Sequence, residues 1–132
     1  MPSRSIALED EHDIAVARGE ARQMAAALGF RMIDQTRFAT VASELARNVI
    51  KYAGRGRMIA QPTANPSGRE GLRLIFEDSG PGIPDVEAAM RDGFSTGGGL
   101  GKGLPGSKRL SDEFRIESEP GRGTRVTIVR WK

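Results

Sequence analysis

The chain is expected to fold as a single domain over residues 1–132, an α/β (α+β) two-layer sandwich whose mixed, mostly antiparallel sheet carries its helices on one face. Three observations predict this. Two long segments place apolar residues every three or four positions, several shorter ones alternate apolar and polar residues, and Gly/Pro-rich stretches separate them. There is no internal repeat, linker or low-complexity tail. A domain of this length buries about two-thirds of the surface its unfolded chain exposes, which is enough for one core.

In chain order, Ser5 to Leu8 is expected as a short first strand. Ile14, Ala17, Ala21, Met24 and Leu28 then mark one face of a helix that Gly29 closes as a C-cap. A second helix is expected to start near Asp34 as N-cap, with Phe38, Ala42, Leu45, Val49 and Ala53 on its buried face up to Gly54. Met58 to Gln61 reads as a strand, and Pro62 to Gly71 as a polar turn. Leu72, Leu74 and Phe76 alternate along a strand ending at Asp78. Pro84 to Met90 suits a short helix, because proline fits a first turn. Gly93 to Gly103 is too rich in glycine for regular structure, and a further helix is expected over Pro105 to Leu110. Phe114 to Ser118 and Thr124 to Trp131 flank Pro120-Gly121-Arg122-Gly123 as a hairpin.

Composition narrows the function classes. Hydrophobic residues at 38% and charged residues at 28% fit a soluble globular domain. No apolar run approaches the roughly 20 residues a membrane-spanning helix needs, and MPSRSIALEDEH lacks the apolar segment of a signal peptide. A cytoplasmic location without membrane attachment is therefore expected. The absence of cysteine excludes disulfides, thiol catalysis and cysteine-held metals, and a single histidine removes most zinc sites. A net charge of +3 raises nucleic acid as a partner, yet Lys and Arg are interspersed with acids and aromatics are only 5%. A nucleoside triphosphate or an acidic protein accounts for the surplus equally well, and no nucleic-acid partner is expected.

Three motifs carry chemistry. In ELARNVIKY, Glu44 and Asn48 lie about 40° apart on the second helix, at the edge of the stripe centred on Leu45 and Val49. A carboxylate there takes a proton from an attacking hydroxyl, and an amide oxygen is a hard ligand suited to Mg²⁺. Lys51 and Tyr52 continue that side by one turn, toward phosphate and base. In DSGPGI, Asp78 shares strand parity with Leu72, Leu74 and Phe76, so a carboxylate ends a core-facing row and requires a hydrogen-bond donor. Thr124 follows the same parity with Val126 and Ile128. In GGGLGKGL, five glycines among Gly97 to Gly103 precede a helix, so backbone amides and Lys102 face a space that suits phosphate. Glycines at 80, 82 and 97–103 would let the intervening segment close as a lid.

Each motif also has an ordinary reading: a solvated helix flank, an aspartate capping the turn Asp78-Ser79-Gly80-Pro81, and a surface loop. Familiar nucleotide motifs do not fit. The P-loop pattern fails because Gly101-Lys102 is followed by Gly103 and its upstream glycine position is Thr96. Gly101, Gly103 and Gly106 satisfy G-x-G-x-x-G formally, but no strand leads directly into them. The HRD and DFG triplets of eukaryotic protein kinases are absent.

Taken together and in this order, the three motifs resemble the N-box and the two glycine boxes of the GHKL (Bergerat-fold) ATP-binding superfamily. ARGEARQMAAALGF, DQTRFATVASELARN, STGGGLGKGLPGSKRLSDEF and GRGTRVTIVRWK extend the resemblance over essentially the whole chain, to the RsbT-type switch kinases of bacterial partner-switching pathways. The RsbW type of anti-sigma kinase is a near relative. The resemblance implies an ATP-dependent protein serine/threonine kinase that phosphorylates a STAS-domain partner and activates a PP2C-type phosphatase when released. It implies Glu44 as general base and Asn48 as Mg²⁺ ligand, with Lys51 beside the nucleotide. Asp78, with Gly80 and Gly82, would hold the exocyclic amine of adenine, and Thr124 would lie beside it. Gly97, Gly98, Gly99, Leu100, Gly101, Lys102, Gly103 and Leu104 would surround the phosphates.

A histidine kinase would need an acceptor histidine on a dimerising helical hairpin, and the stretch from His12 to Glu44 has no room for that hairpin as well as the first helix. His12 is read as an ordinary surface or helix-start residue. The competing class is a nucleotide-gated binding adaptor that sequesters partners with little catalysis. Nothing in the sequence specifies an oligomeric state.

Overall fold

The computed structural model describes residues 2–83, 86, 90 and 103–132. Its helical layer begins with α1, Glu11–Ala27, whose first turn is capped by the Asp10 carboxylate accepting from the Asp13 amide. The periodic face Ile14, Ala17, Ala21 and Met24 is buried as expected. Gly29, at φ 86°, turns the chain out of the helix while its amide and that of Phe30 bond back to Ala26 and Ala25. The second helix, α2, runs Met32–Ala53 and buries Phe38, Ala42, Leu45 and Val49 against α1 and the sheet. A seven-residue helix, α3, Gly103–Arg109, packs on α2.

The sheet contains β1 (Arg4–Leu8), β2 (Gly56–Ala64), β3 (Glu70–Asp78), β4 (Glu113–Glu119) and β5 (Gly123–Trp131). Their spatial order is β1-β2-β3-β5-β4, and every pairing is antiparallel. Among the described residues the sheet is thus antiparallel throughout, and the helices cover one face.

Register builds the core in rows. Met58, Phe76 and Val126 align across β2, β3 and β5, as do Ala60, Leu74 and Ile128, and all six are buried. The face turns polar at both ends. One end row is Pro62, Leu72 and Arg130; the other is Gly56, Asp78, Thr124 and Ser118.

Two expectations are corrected. Asp34 is not the N-cap of the second helix: Arg31 occupies that position without a side-chain cap, and Asp34 lies inside the first turn, 7% exposed. Arg130, on the core-facing row of β5, reaches under α2 and donates to Asp34 Oδ1 at 3.0 Å; Arg37 donates to the same oxygen at 2.9 Å. Arg130 also donates to the Leu110 carbonyl at 2.9 Å, which fastens the residue after α3 to the same cluster. Burial pushes the Asp34 carboxyl up, but the hydrogen bonds from Arg130 and Arg37 and the charges of Arg130 and Arg31 outweigh it and hold it below the ordinary carboxylate value.

Second, Pro62 and Thr63 belong to β2 and not to the following turn. Pairing with β1 stops at Ala60, so this stretch of β2 has one neighbour and proline costs no ladder bond on its open side. The turn is shorter and is organised by Asn65 Oδ1, which accepts from Ser67 N, Ser67 Oγ and Arg69 N.

α3 starts two residues earlier than expected, at Gly103. Of the helix expected over Pro84 to Met90, only Val86 and Met90 are among the described residues, and the Met90 amide donates to the Val86 carbonyl at 3.1 Å. Among the described residues no helix is long and apolar enough to cross a membrane.

Candidate functional site

The polar end row is where the sequence motifs converge. Asp78 and Thr124 are register partners on β3 and β5, both half-buried. Asp78 Oδ1 accepts from the Gly80 amide at 2.9 Å and from the Thr124 amide at 3.3 Å. The first of these is the ordinary turn-capping bond, so that reading of Asp78 holds as well. Among the described residues, however, Oδ2 accepts no hydrogen bond and no cation lies within ion-pair distance of the carboxylate. The opposite end of the face differs, since Arg130 there is neutralised by Asp34. The Arg130 charge is thus met within the protein, whereas Asp78 Oδ2 has no donor among the described residues.

Glycines bring the surrounding elements close to Asp78. A Cβ on Gly56 would fall 2.7 Å from Val49 Cγ1, and one on Gly80 would fall 2.5 Å from Ala53 Cβ. The Val49 and Ala53 side of the last turns of α2 therefore packs directly against the end of β3 beside Asp78. Gly82, at φ 79°, brings DSGPGI onto the β4–β5 hairpin, where a Cβ would fall 2.2 Å from the Glu119 carbonyl oxygen; the Gly121 amide donates to the Pro81 carbonyl across the same contact.

Gly82→Ala is accordingly expected to cost at least about 3 kcal/mol, combining left-handed strain with overpacking. Gly121→Ala has the same backbone strain at φ 81° but open space around the new methyl, and should cost only about 1 kcal/mol. Urea denaturation of the two variants measures the difference.

On α2, Glu44 and Asn48 are half-buried at the edge of the apolar stripe. The Glu44 side chain is 21% exposed, and its Oε1 accepts from Arg47 Nη1 at 3.2 Å. Lys51 is exposed, with Nζ 5.2 Å from the centre of the Tyr52 ring. Gly103 and Leu104 lie buried in the first turn of α3, and Leu104 joins the core. Gly97, Gly98, Gly99, Leu100, Gly101 and Lys102 lie outside the described residues, so the expected phosphate loop and lid do too.

The residues fit a nucleotide and its metal in a specific way. Among the described residues no three His, Cys, Asp or Glu side chains cluster as a metal site. One amide oxygen at Asn48 suits Mg²⁺ that arrives on phosphate oxygens with its own waters, as this ion usually does. A groove of about 790 Å³ wraps this end of the sheet, lined by Asp78, Ser118 and Thr124 of the polar row and by Arg57, Glu77, Glu117 and Arg125 of the outer face. Arg57 and Arg125 both pair with Glu77 there.

Sequence reasoning missed Ser118, which completes the row. Its hydroxyl accepts from the Ile83 amide at 2.7 Å and lies 2.8 Å from Thr124 Oγ1 and 3.1 Å from the Gly123 carbonyl. The parity of Phe114, Ile116 and Ser118 along β4 carried the signal.

Residues 33–132 match the model for histidine kinase-, DNA gyrase B- and HSP90-like ATPases. The chain belongs to that family. It is 51% identical over 121 residues to serine/threonine-protein kinase RsbT of Bacillus subtilis (strain 168), covering 92% of this chain and 90% of the relative. Over 95 residues it is 32% identical to an anti-sigma F factor of Clostridium kluyveri, covering 69% and 66% of the two chains. A solved structure of the mycobacterial sensor histidine kinase MprB shares the fold with a TM-score of 0.57 at 17% identity, covering 98% of this chain and 97% of that one. Half-identity along nine-tenths of both sequences places this ATPase-family chain in the RsbT-type branch, whose named activity is that of a serine/threonine-protein kinase.

Proposed function

We propose that the chain transfers the γ-phosphoryl group of ATP to a serine or threonine hydroxyl on a STAS-domain partner, as a switch kinase of a bacterial partner-switching circuit. The observation that carries this reading is the half-buried Asp78 carboxylate, held by two backbone amides on one oxygen and open on the other, beside a helix that presents Glu44 and Asn48. In this reading Asp78 Oδ2 accepts from the exocyclic amine of adenine, with Thr124 against the same edge of the base. Gly80 and Gly82 shape the turn around it. Lys51, Lys102, the amides of residues 97–103 and Leu104 border the phosphates.

The partner hydroxyl oxygen attacks the γ-phosphorus, the bond to the β–γ bridging oxygen breaks, and ADP leaves. Glu44 takes the hydroxyl proton. Arg47 donates to Glu44 Oε1, and in this reading Oε2 is the oxygen that takes the proton. Asn48 would hold Mg²⁺, which when bound neutralises developing charge on the phosphate oxygens. Binding and positioning supply most of the acceleration in such a site.

Asp78→Asn is expected to weaken ATP binding roughly ten- to a hundred-fold, the worth of one charge-assisted hydrogen bond, and to narrow the preference for ATP over GTP. Calorimetric titration with both nucleotides measures it. Unchanged ATP affinity, or equal binding of GTP by the parent protein, contradicts the assignment.

Once released from its substrate, the kinase is proposed to engage and activate a PP2C-type phosphatase. A second reading rests on the likeness to an anti-sigma factor. It is a nucleotide-gated adaptor, or an anti-sigma kinase of the RsbW type, in which sequestration outweighs catalysis.

A further inference from the structure

Two apolar side chains at the start of α2 have no part in the core. Met32 is 75% exposed and Ile33 53%, and among the described residues neither joins the core cluster or packs against it. Single apolar residues on a surface need no explanation, but these two are adjacent and lie on the same side of the helix as Glu44. Helix geometry puts Ile33 and Glu44 within about 20° of one line along α2, about 16 Å apart.

Thr36, Thr40 and Ser43 occupy that side between them, and their hydroxyls donate back to the carbonyls of Met32, Thr36 and Ala39 at 3.2, 3.0 and 3.0 Å. Their protons are thus used within the helix, so covering these residues strands no donor. Arg37 lies on the same line but is turned to Asp34, to which it donates at 2.9 Å.

The apolar end is also positively charged. Arg130, Arg37 and Arg31 all approach Asp34, so three guanidinium groups meet one carboxylate and two positive charges are left over in the cluster. Arg31 is the surplus member, with its side chain 78% exposed and 3.7 Å from Asp34 Oδ2. A complementary occupant brings acidic groups to Arg31 and an apolar group to Met32 and Ile33. A second copy of this chain docked through the same face would set positive cluster against positive cluster, which disfavours it.

Resting on the assignment of Glu44 as the base that takes the partner's hydroxyl proton, we propose that this side of α2 is where the protein substrate docks. An apolar side chain of the substrate, about 16 Å from its acceptor hydroxyl, seats on Met32 and Ile33. Acidic groups beside it meet Arg31, and Thr36, Thr40 and Ser43 lie under the contact. The distance from anchor to base is fixed by one rigid helix, so docking at one end positions the hydroxyl at the other.

The test follows transfer of label from ATP to a candidate STAS-domain protein as the concentration of that protein is varied, with ATP affinity measured alongside. Met32→Ser combined with Ile33→Ser should raise KM for the protein substrate about tenfold, while kcat and ATP affinity stay at the parent values. Thr40→Arg, which places a long charged side chain between the anchor and Glu44, should also raise KM, whereas Ile33→Leu should keep the parent value. Arg31→Glu should raise KM at low ionic strength and lose most of that effect at high salt.

An unchanged KM in the Met32 and Ile33 double variant overturns the docking face; loss of transfer in Glu44→Gln in the same assay then shows that the proposed function stands without it. A parent that binds ATP but transfers label to no STAS-domain protein removes both. A parent dimer that the double variant converts to monomer, with KM for the protein substrate unchanged, gives the face to a second copy and overturns the inference.

Discussion

Glu44→Gln is expected to lower the rate of phosphoryl transfer by about a hundred- to ten-thousand-fold, the usual worth of a positioned general base. Nucleotide affinity should be retained, because the substitution preserves size and polarity and Asp78 lies on a different element. The structure gives the prediction its geometry. Glu44 sits half-buried on α2, one turn before Asn48, with one carboxylate oxygen held by Arg47. Single-turnover transfer, measured with saturating Mg-ATP, separates the chemical step from binding. Transfer at the parent rate would remove Glu44 from the chemistry and favour the adaptor reading.

Asp34→Ala should produce the largest loss of stability, about 3–5 kcal/mol, because it strands a largely buried Arg130 without its counter-charge. For a domain of this size that corresponds to a fall in Tm of roughly 12 °C or more. The double variant Asp34→Leu with Arg130→Met should recover much of the loss, since apolar groups of similar volume often replace a buried ion pair without penalty.

The effect has a pH signature. The folded-state pKa of Asp34 lies below its ordinary value of 3.8, so its contribution is fully present above that value. It is lost as pH falls through the unfolded and then the folded pKa. Urea denaturation from about pH 7 down to pH 3 should therefore show the gap between parent and Asp34→Ala narrowing only at the acid end. A gap independent of pH there would contradict the ionic account of this cluster.

The Asp78–Thr124–Ser118 row and the row that ends in Arg130 lie at opposite ends of one sheet face, and the ends differed in how legible they were. Strand parity aligned Asp78 with Leu72, Leu74 and Phe76, and Thr124 with Val126 and Ile128, whereas the placement of Thr124 beside Asp78 was legible only through the family resemblance. Ser118 obeys the same rule on β4 and could have been added. Asp34 was misread because an aspartate ahead of a helical stripe locally suits an N-cap. Its actual partner, Arg130, is 96 positions away, and only the register that places Arg130 beside Leu72 brings them together.

Pro62 was misread for a similar reason. Proline signals a turn locally, whereas the shortness of β1 is what admits it to β2. The close approaches at Gly56 and Gly80 likewise depend on packing between α2 and the strand ends, which no local pattern encodes.

The most direct test of the central claim is transfer of label from γ-labelled ATP with Mg²⁺ to a candidate STAS-domain protein, followed by acid treatment of the product. Acid-stable label on the partner, dependent on Glu44, is the predicted result, since serine and threonine phosphoesters survive acid. Acid-labile label on the chain itself would point to His12 as acceptor and contradict the account, and nucleotide binding with no transfer to any partner hydroxyl would contradict it in favour of the adaptor.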